Sequence, residues 1–332
     1  MSRRAPRAAT PAEFAASLTE SLGPDEAERV LAGLHEHAAY APTTFRLNTL
    51  GADAGAAAAR VRPMLEAAGL GAVDVEPVPG LPTARRVATR HRPALTGSAP
   101  ATGGGLYVQN LSSQLAGTVL GDLAGRRVLD LAAAPGGKTL DLLQRLGPAD
   151  AGGHLAAVEP VRARFHTLQR NVDAAVTWAG GPAAAPSHRL FNTDGRQVGI
   201  KTPGRFDAVM LDAPCSGEAR IDPDDPATLG FWSPAKIREC VRKQKALLAS
   251  AFEACAVGGR IAYCTCTINR LENEGIVEHL LARRAGRVEP IDVPLPEGLE
   301  DLDAHTPAPG MLRIRPTRMF SAFFITLLRR TG

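Results

Sequence analysis

From Leu106 to the C-terminus, short apolar runs alternate with stretches long enough to be helices. Strand candidates are Arg127 to Leu131, His154 to Val158, Arg189 to Asn192, Phe206 to Leu211 and Arg260 to Tyr263, with Leu140 to Leu146 and Ala235 to Ala256 among the helix-length segments between them. Parallel neighbours need a crossover of a dozen or more residues, usually a helix, so this alternation predicts an α/β fold built on a doubly wound parallel sheet. The last pair, Met311 to Arg315 and Phe320 to Leu328, has no helix between its members and reads as an antiparallel edge hairpin. A sheet covered on both faces needs abundant apolar material, and a chain of 332 residues that is 45% hydrophobic and 22% charged supplies it, with length to spare for a second domain.

The first hundred residues differ in character. Apolar spacing at Phe14, Leu18 and Leu22, then at Val30, Leu31 and Leu34, predicts two short helices between Pro11 and Ala38, broken at Gly23-Pro24. Phe45 to Leu50 reads as a strand, Ala52 to Ala68 as an Ala-rich helix and Val73 to Val78 as another strand. Together they make a small N-terminal α+β module over residues 1–98, followed by a second domain over 99–332, with Gly97 to Gly105 as the linker. Arg3, Arg4 and Arg7, with no acid before Glu13, resemble the start of a transit peptide, but a basic tail is the expectation. Five cysteines without a Cys-x-x-Cys pair argue for a reducing, cytoplasmic setting, and no run is long enough to span a membrane. The net charge of +4 accommodates a nucleic-acid partner without requiring one. Arg supplies 33 of the 38 basic residues, read here as compositional bias.

The first strand-to-helix turn carries the ligand signal. Val128-Leu129-Asp130-Leu131 runs into Ala132-Ala133-Ala134-Pro135-Gly136-Gly137-Lys138-Thr139, where two glycines allow close backbone approach and the following helix offers its amino end to an anion. A nucleotide-binding P-loop ending in Gly137-Lys138-Thr139 would need glycine at position 132, where this chain has Ala. Glu159, Asp194 and Asp212 then fall at the carboxyl ends of successive strand candidates, facing the crevice where such sheets bind ligands. Each alone reads as a cap or turn residue; three in register read as a site.

Cys215, in Asp212-Ala213-Pro214-Cys215-Ser216-Gly217, and Cys266, in Thr265-Cys266-Thr267, both follow strand candidates that bound that crevice. A thiolate is suited to add to carbon 6 of a pyrimidine, and a second thiol can help reverse the addition. Cys240, Cys255 and Cys264 read as buried small hydrophobes, with Cys240 and Cys255 on helix-like segments and Cys264 expected to point away from Cys266. No metal site is expected, because the cysteines lack paired ligand spacing. Phe231 and Trp232 are candidates either for base stacking or for packing. Arg220, Arg238, Arg242, Lys243 and Lys245 are candidates for a phosphate track, and Lys138 for contact with the substrate base or with Asp212.

Asp130 to Thr139, Asp212 to Gly217 and Tyr263 to Thr267, with Glu272-Asn273-Glu274 behind, resemble the signature segments of the Nop/Sun family of RNA cytosine-5 methyltransferases, including its bacterial 16S ribosomal RNA members. The likeness extends to Tyr107-Val108-Gln109, Ser112-Ser113, Phe231-Trp232-Ser233, Gln244 and Phe323-Phe324. Phe45-Arg46-Leu47-Asn48-Thr49 resembles the strand that opens the family's N-terminal RNA-binding module.

The resemblance implies a class I methyltransferase (Rossmann-like) sheet. It also implies that S-adenosylmethionine is held by Ala132, Ala133, Ala134, Pro135, Gly136, Gly137, Lys138, Glu159, Arg164, Asp194 and Asp212. Cys266 would be the nucleophile, Cys215 would assist release, and Asp212 would hydrogen-bond the base. The substrate would be a single-stranded, bulged or flipped-out cytosine in ribosomal RNA or, second, transfer RNA, met by a monomer. Two positions depart from the family pattern: Glu159 stands where Asp is usual, and Ala219-Arg220 where a Gly usually follows Ser216-Gly217-Glu218. An extra C-terminal RNA-binding domain found in longer members is not expected. A DNA cytosine-5 enzyme would place its nucleophile at Cys215 and have no use for Cys266. A non-catalytic RNA-binding assembly factor would have no need to keep every matched position.

Overall fold

The computed structural model describes residues 9–332, so Arg3, Arg4 and Arg7, expected in a basic tail, lie outside the described residues. Two helices lead: α1 (Pro11–Leu22), opened by a capping box between Thr10 and Glu13, and α2 (Pro24–Tyr40), separated by Gly23 at φ 84°. A small sheet follows from β1 (Thr43–Leu47), β2 (Glu76–Val78), β3 (Leu81–Val87) and β4 (Leu106–Val108), paired antiparallel in the order β2-β3-β1-β4. Between its strands lie α3 (Ala54–Ala67), α4 (Arg92–Gly97) and α5 (Ala99–Thr102).

Two expectations change here. The stretch from Gly97 to Gly105 holds helical turns rather than an open linker, and its last two glycines serve contact. A Cβ at Gly104 would sit 2.4 Å from the Ala174 backbone, and one at Gly105 would sit 2.5 Å from the Trp178 ring. The small sheet also runs past residue 98, because Phe45 to Leu47 of β1 pair with Leu106 to Val108.

The large sheet comprises β5 (Arg127–Asp130), β6 (His154–Val158), β7 (Ser187–Phe191), β8 (Phe206–Asp212), β9 (Cys255–Thr265), β10 (Val288–Ile291), β11 (Ala304–Ala308), β12 (Met311–Ile314) and β13 (Phe323–Arg330). Helices α6 (Leu111–Thr118), α7 (Gly137–Arg145), α8 (Arg162–Trp178), α9 (Val198–Lys201), α10 (Pro234–Ala254) and α11 (Glu274–Arg283) accompany it. Its order is β11-β12-β13-β9-β8-β5-β6-β7, with β10 beside β13. β7, β6, β5, β8 and β9 run parallel, whereas β13 lies antiparallel between β9 and β12. The hairpin read from the sequence is therefore real, but β13 lies inside the sheet. Cys255 opens β9 instead of ending a helix.

Alternating residues of the central strands feed two separate cores. Val128, Ala208, Met210 and Ala262 join one, while Leu129, Val209, Leu211 and Tyr263 join the other. A third core joins Phe14, Leu18, Val30 and Leu34 of the first two helices to Trp232, Ile237 and Ile268, with Phe14 edge-on to Trp232 at 5.3 Å. Hence α1 and α2 pack on the region that follows β8 and β9.

Candidate active site

Strand order reverses at β5, which pairs with β6 on one side and β8 on the other, and the loops leaving the carboxyl ends of these strands form the site. Leu131 donates to the Met210 carbonyl and Ala133 to the Val158 carbonyl, which pins the start of the 132–138 loop to both neighbouring strands. Gly136 sits at φ 115°, a conformation that disfavours any side chain, and the Ala134–Pro135 peptide is cis. Side chains then hold the loop from outside: Arg164 donates to Ala134 O (2.7 Å), Asn171 to Pro135 O (2.7 Å) and Arg46 to Gly137 O (2.8 Å).

The three acids stand where expected. Glu159 is buried, accepts from Val161 N at 2.9 Å and lies 3.8 Å from Arg164. Asp194 pairs with Arg196, whose hydrogen bonds pull its carboxyl below the usual range. A glycine-built turn flanked by acids at the ends of adjacent strands suits a ligand with hydroxyls to donate and a cationic end.

Of the contacts considered for Lys138, the one with Asp212 is formed. The lysine is buried 2.6 Å from Ser113 Oγ and 2.7 Å from Asp212 Oδ2, with its ammonium 5.2 Å from the Phe323 ring. Burial works against its charge, but Asp212, with Cys264 and Cys266, holds the ammonium well above the ordinary lysine value. It is aimed at Asp212, away from the loop it belongs to.

Cys215 and Cys266 are brought together, sulfur to sulfur, at 3.4 Å. The bond shared with Cys215 pulls the Cys266 thiol below its ordinary value against burial and Asp212, and Lys138 and Arg220 pull the same way. The same bond, together with burial, pushes Cys215 well above. Cys264 does not point away from the site: its sulfur lies 3.5 Å from Asp212 Oδ1, and Cys266 packs against the same core. Burial and Asp212 keep that thiol raised.

Two carboxylates hold the loops that carry these thiols. Glu218 accepts from Thr267 Oγ1 (2.7 Å), Ile268 N (2.9 Å), Asn269 N (2.8 Å) and the Trp232 indole (3.0 Å). Glu272 accepts from Ser216 N (3.0 Å) and Gln244 Nε2 (2.8 Å), and burial raises its carboxyl to about 7. Behind them Arg313 forms a two-pronged pair with Glu274 at 2.6 and 2.7 Å. These holding roles were invisible in the sequence, since Glu218 and the loop that donates to it lie about fifty residues apart.

Trp232 is 3% exposed and belongs to the core, which decides against base stacking by that ring. Lys243 is tied to Glu239 at 2.5 Å on a helix face, while Arg220 remains exposed beside the thiols.

A profile described as 16S rRNA methyltransferase RsmB/F matches residues 118–329. Ribosomal RNA small subunit methyltransferase F of Klebsiella pneumoniae (strain 342) is 37% identical over 229 residues, covering 68% of this chain and 45% of that protein. The enzyme of the same name from Cronobacter sakazakii (strain ATCC BAA-894) is 34% identical over 295 residues, 87% and 57% of the two chains. The chain thus spans about half the length of the curated relatives it matches.

Among solved structures, the crystal structure of PH0851 superposes with a TM-score of 0.78 at 26% identity, covering 96% of this chain and 65% of that one. NSun6 from Pyrococcus horikoshii with SFG superposes at 0.76 and 18% identity, covering 98% and 99%. The fold is therefore that of class I methyltransferases, and with the profile spanning well over half its length, the chain belongs to the 16S rRNA methyltransferase RsmB/F family.

Proposed function

We propose that this chain transfers a methyl group from S-adenosylmethionine to carbon 5 of a cytosine in ribosomal RNA, through a transient bond between Cys266 and carbon 6 of the base. The observation that carries this reading is the pair of thiols 3.4 Å apart, one lowered and one raised, beside the ion pair that buried Lys138 makes with half-exposed Asp212. Bound S-adenosylmethionine supplies an electrophilic methyl on a sulfonium. The backbone of Ala132 to Gly137 would hold its amino-acid end, Glu159 the ribose hydroxyls, and Asp194 and Asp212 its polar edges, with Arg164 buttressing the loop through Ala134.

Carbon 5 of cytosine is a weak nucleophile. The Cys266 thiolate bonds to carbon 6 and shifts the ring electrons toward carbon 5 and N3, which prepares carbon 5 to take the methyl. Asp212, with Lys138 behind it, faces the exocyclic amine and N3, where charge changes during addition. Loss of the carbon 5 proton, assisted by Cys215 directly or through water, returns the electrons, breaks the bond between sulfur and carbon 6, and frees the product. The small four-stranded module would help to bring the RNA, in a cytoplasmic setting.

The test is covalent capture. Cys215→Ala incubated with S-adenosylmethionine and unmethylated ribosomal RNA should accumulate a nuclease-sensitive, denaturant-resistant adduct. Cys266→Ala should form none and lose turnover by at least three orders of magnitude, on the scale of removing a covalent nucleophile. Full activity in Cys266→Ala would overturn the mechanism.

A further inference from the structure

Arg220 ends the single turn Glu218–Arg220 that follows Gly217, five residues beyond Cys215. Its guanidinium lies 4.5 Å from the centroid of the Phe231 ring, and that ring is 39% exposed, unlike the buried Trp232 beside it. Gly217 makes room for it: a Cβ there would stand 2.6 Å from Arg220 Nη2 and 3.0 Å from Nε. Among the described residues the guanidinium has this aromatic neighbour but no carboxylate partner. Arg315 and Arg313, by contrast, are spent on Glu26 and Glu274, and Lys243 on Glu239.

A guanidinium laid against an aromatic ring is fixed in orientation while its outer N–H donors stay free, so less entropy is lost when it grips a planar or tetrahedral oxyanion. Its place at the mouth matters equally. It is close enough to Cys266 for its charge to help lower that thiol. A nucleotide turned out of its stack to reach Cys266 must carry its flanking phosphates past the same rim.

We propose that Arg220, steadied by Phe231, is the subsite for the phosphodiester adjoining the target cytosine, an inference that rests on the RNA-methylation reading above. A phosphate is favoured over a stacked base because the feature left unsatisfied here is a full positive charge with free donors.

The experiment compares wild type, Arg220→Gln, Arg220→Lys and Phe231→Leu in methyl transfer to an unmethylated 16S ribosomal RNA transcript across a salt series. Arg220→Gln should raise KM for RNA about tenfold, the effect of losing one charged hydrogen-bonding group, and should flatten the slope of log KM against log salt by about 0.7. Arg220→Lys should keep the slope yet show a KM several-fold above wild type, because the ring no longer orients a bidentate donor, and Phe231→Leu should do the same. KM for S-adenosylmethionine should not move in any of them. An unchanged salt slope in Arg220→Gln overturns the inference, including the case in which KM rises because a base had stacked there. Absence of transfer by wild type would instead count against the RNA-methylation reading.

Discussion

The Cys215–Cys266 hydrogen bond sets two chemically identical side chains apart. A thiol held below its ordinary value of 9.0 carries more thiolate at every pH beneath that value, so Cys266 should react with iodoacetamide faster than a free cysteine near neutrality, and Cys215 and Cys264 slower. In Cys215→Ala the shared bond is gone and burial is left opposing the charge, so the rising limb of Cys266 alkylation against pH should move to higher pH. Peptide mass spectrometry after timed alkylation reads this out, and an unmoved limb would mean that Lys138 and Arg220, rather than Cys215, set the thiol. That Cys215 and Cys266 could meet was legible in the sequence, because both sit at the ends of recognisable strands. Which of the two is lowered was not, since that depends on a 3.4 Å approach across 51 residues of chain.

Two loops, one leaving β8 and one leaving β9, must keep a fixed separation for that approach to persist. Glu218 joins them by presenting one buried carboxylate to two backbone N–H groups, a hydroxyl and an indole. Glu218→Gln preserves size but turns an NH2 toward donors, so it should cost about 1–3 kcal/mol, measurable as a lower urea midpoint with unchanged slope. The strands that frame the site were readable because buried parallel strands are continuous apolar runs. Four others, β3, β4, β10 and β11, were not. β3 contains Pro82, Arg85 and Arg86, and it pairs with β1 through a register that no local pattern announces. β10 and β11 are short and carry Pro290 and Pro307, residues that a sheet tolerates at edges and that erase a strand's sequence signal.

At the scale of the whole molecule, the N-terminal segments are fastened to the large sheet through shared apolar cores and through buried polar contacts. α1 and α2 share a core with Trp232, Ile237 and Ile268, and Glu26 grips Arg315 through two bonds of 2.8 Å. Arg46, on β1 of the small sheet, is buried and reaches Gln109 Oε1 at 2.6 Å and Gly137 O at 2.8 Å, so it touches the glycine loop itself. Arg46→Met should take the side-chain donor from both acceptors and leave Asp141 with Arg145 as its cation, lowering stability by about 1–3 kcal/mol in urea unfolding and weakening S-adenosylmethionine binding through the loop. The sequence by itself determined the α/β class, the central parallel strands, the glycine turn and the line of acids, because each is written in local periodicity or in one turn's steric demands. Tertiary structure alone decided that α1 and α2 pack on the thiol-bearing side, that Lys138 faces Asp212, that Cys264 also meets Asp212, and that Trp232 is core while Arg220 lies exposed against Phe231. Those outcomes depend on how distant segments meet, and burial, pairing and proton sharing exist only once they have met.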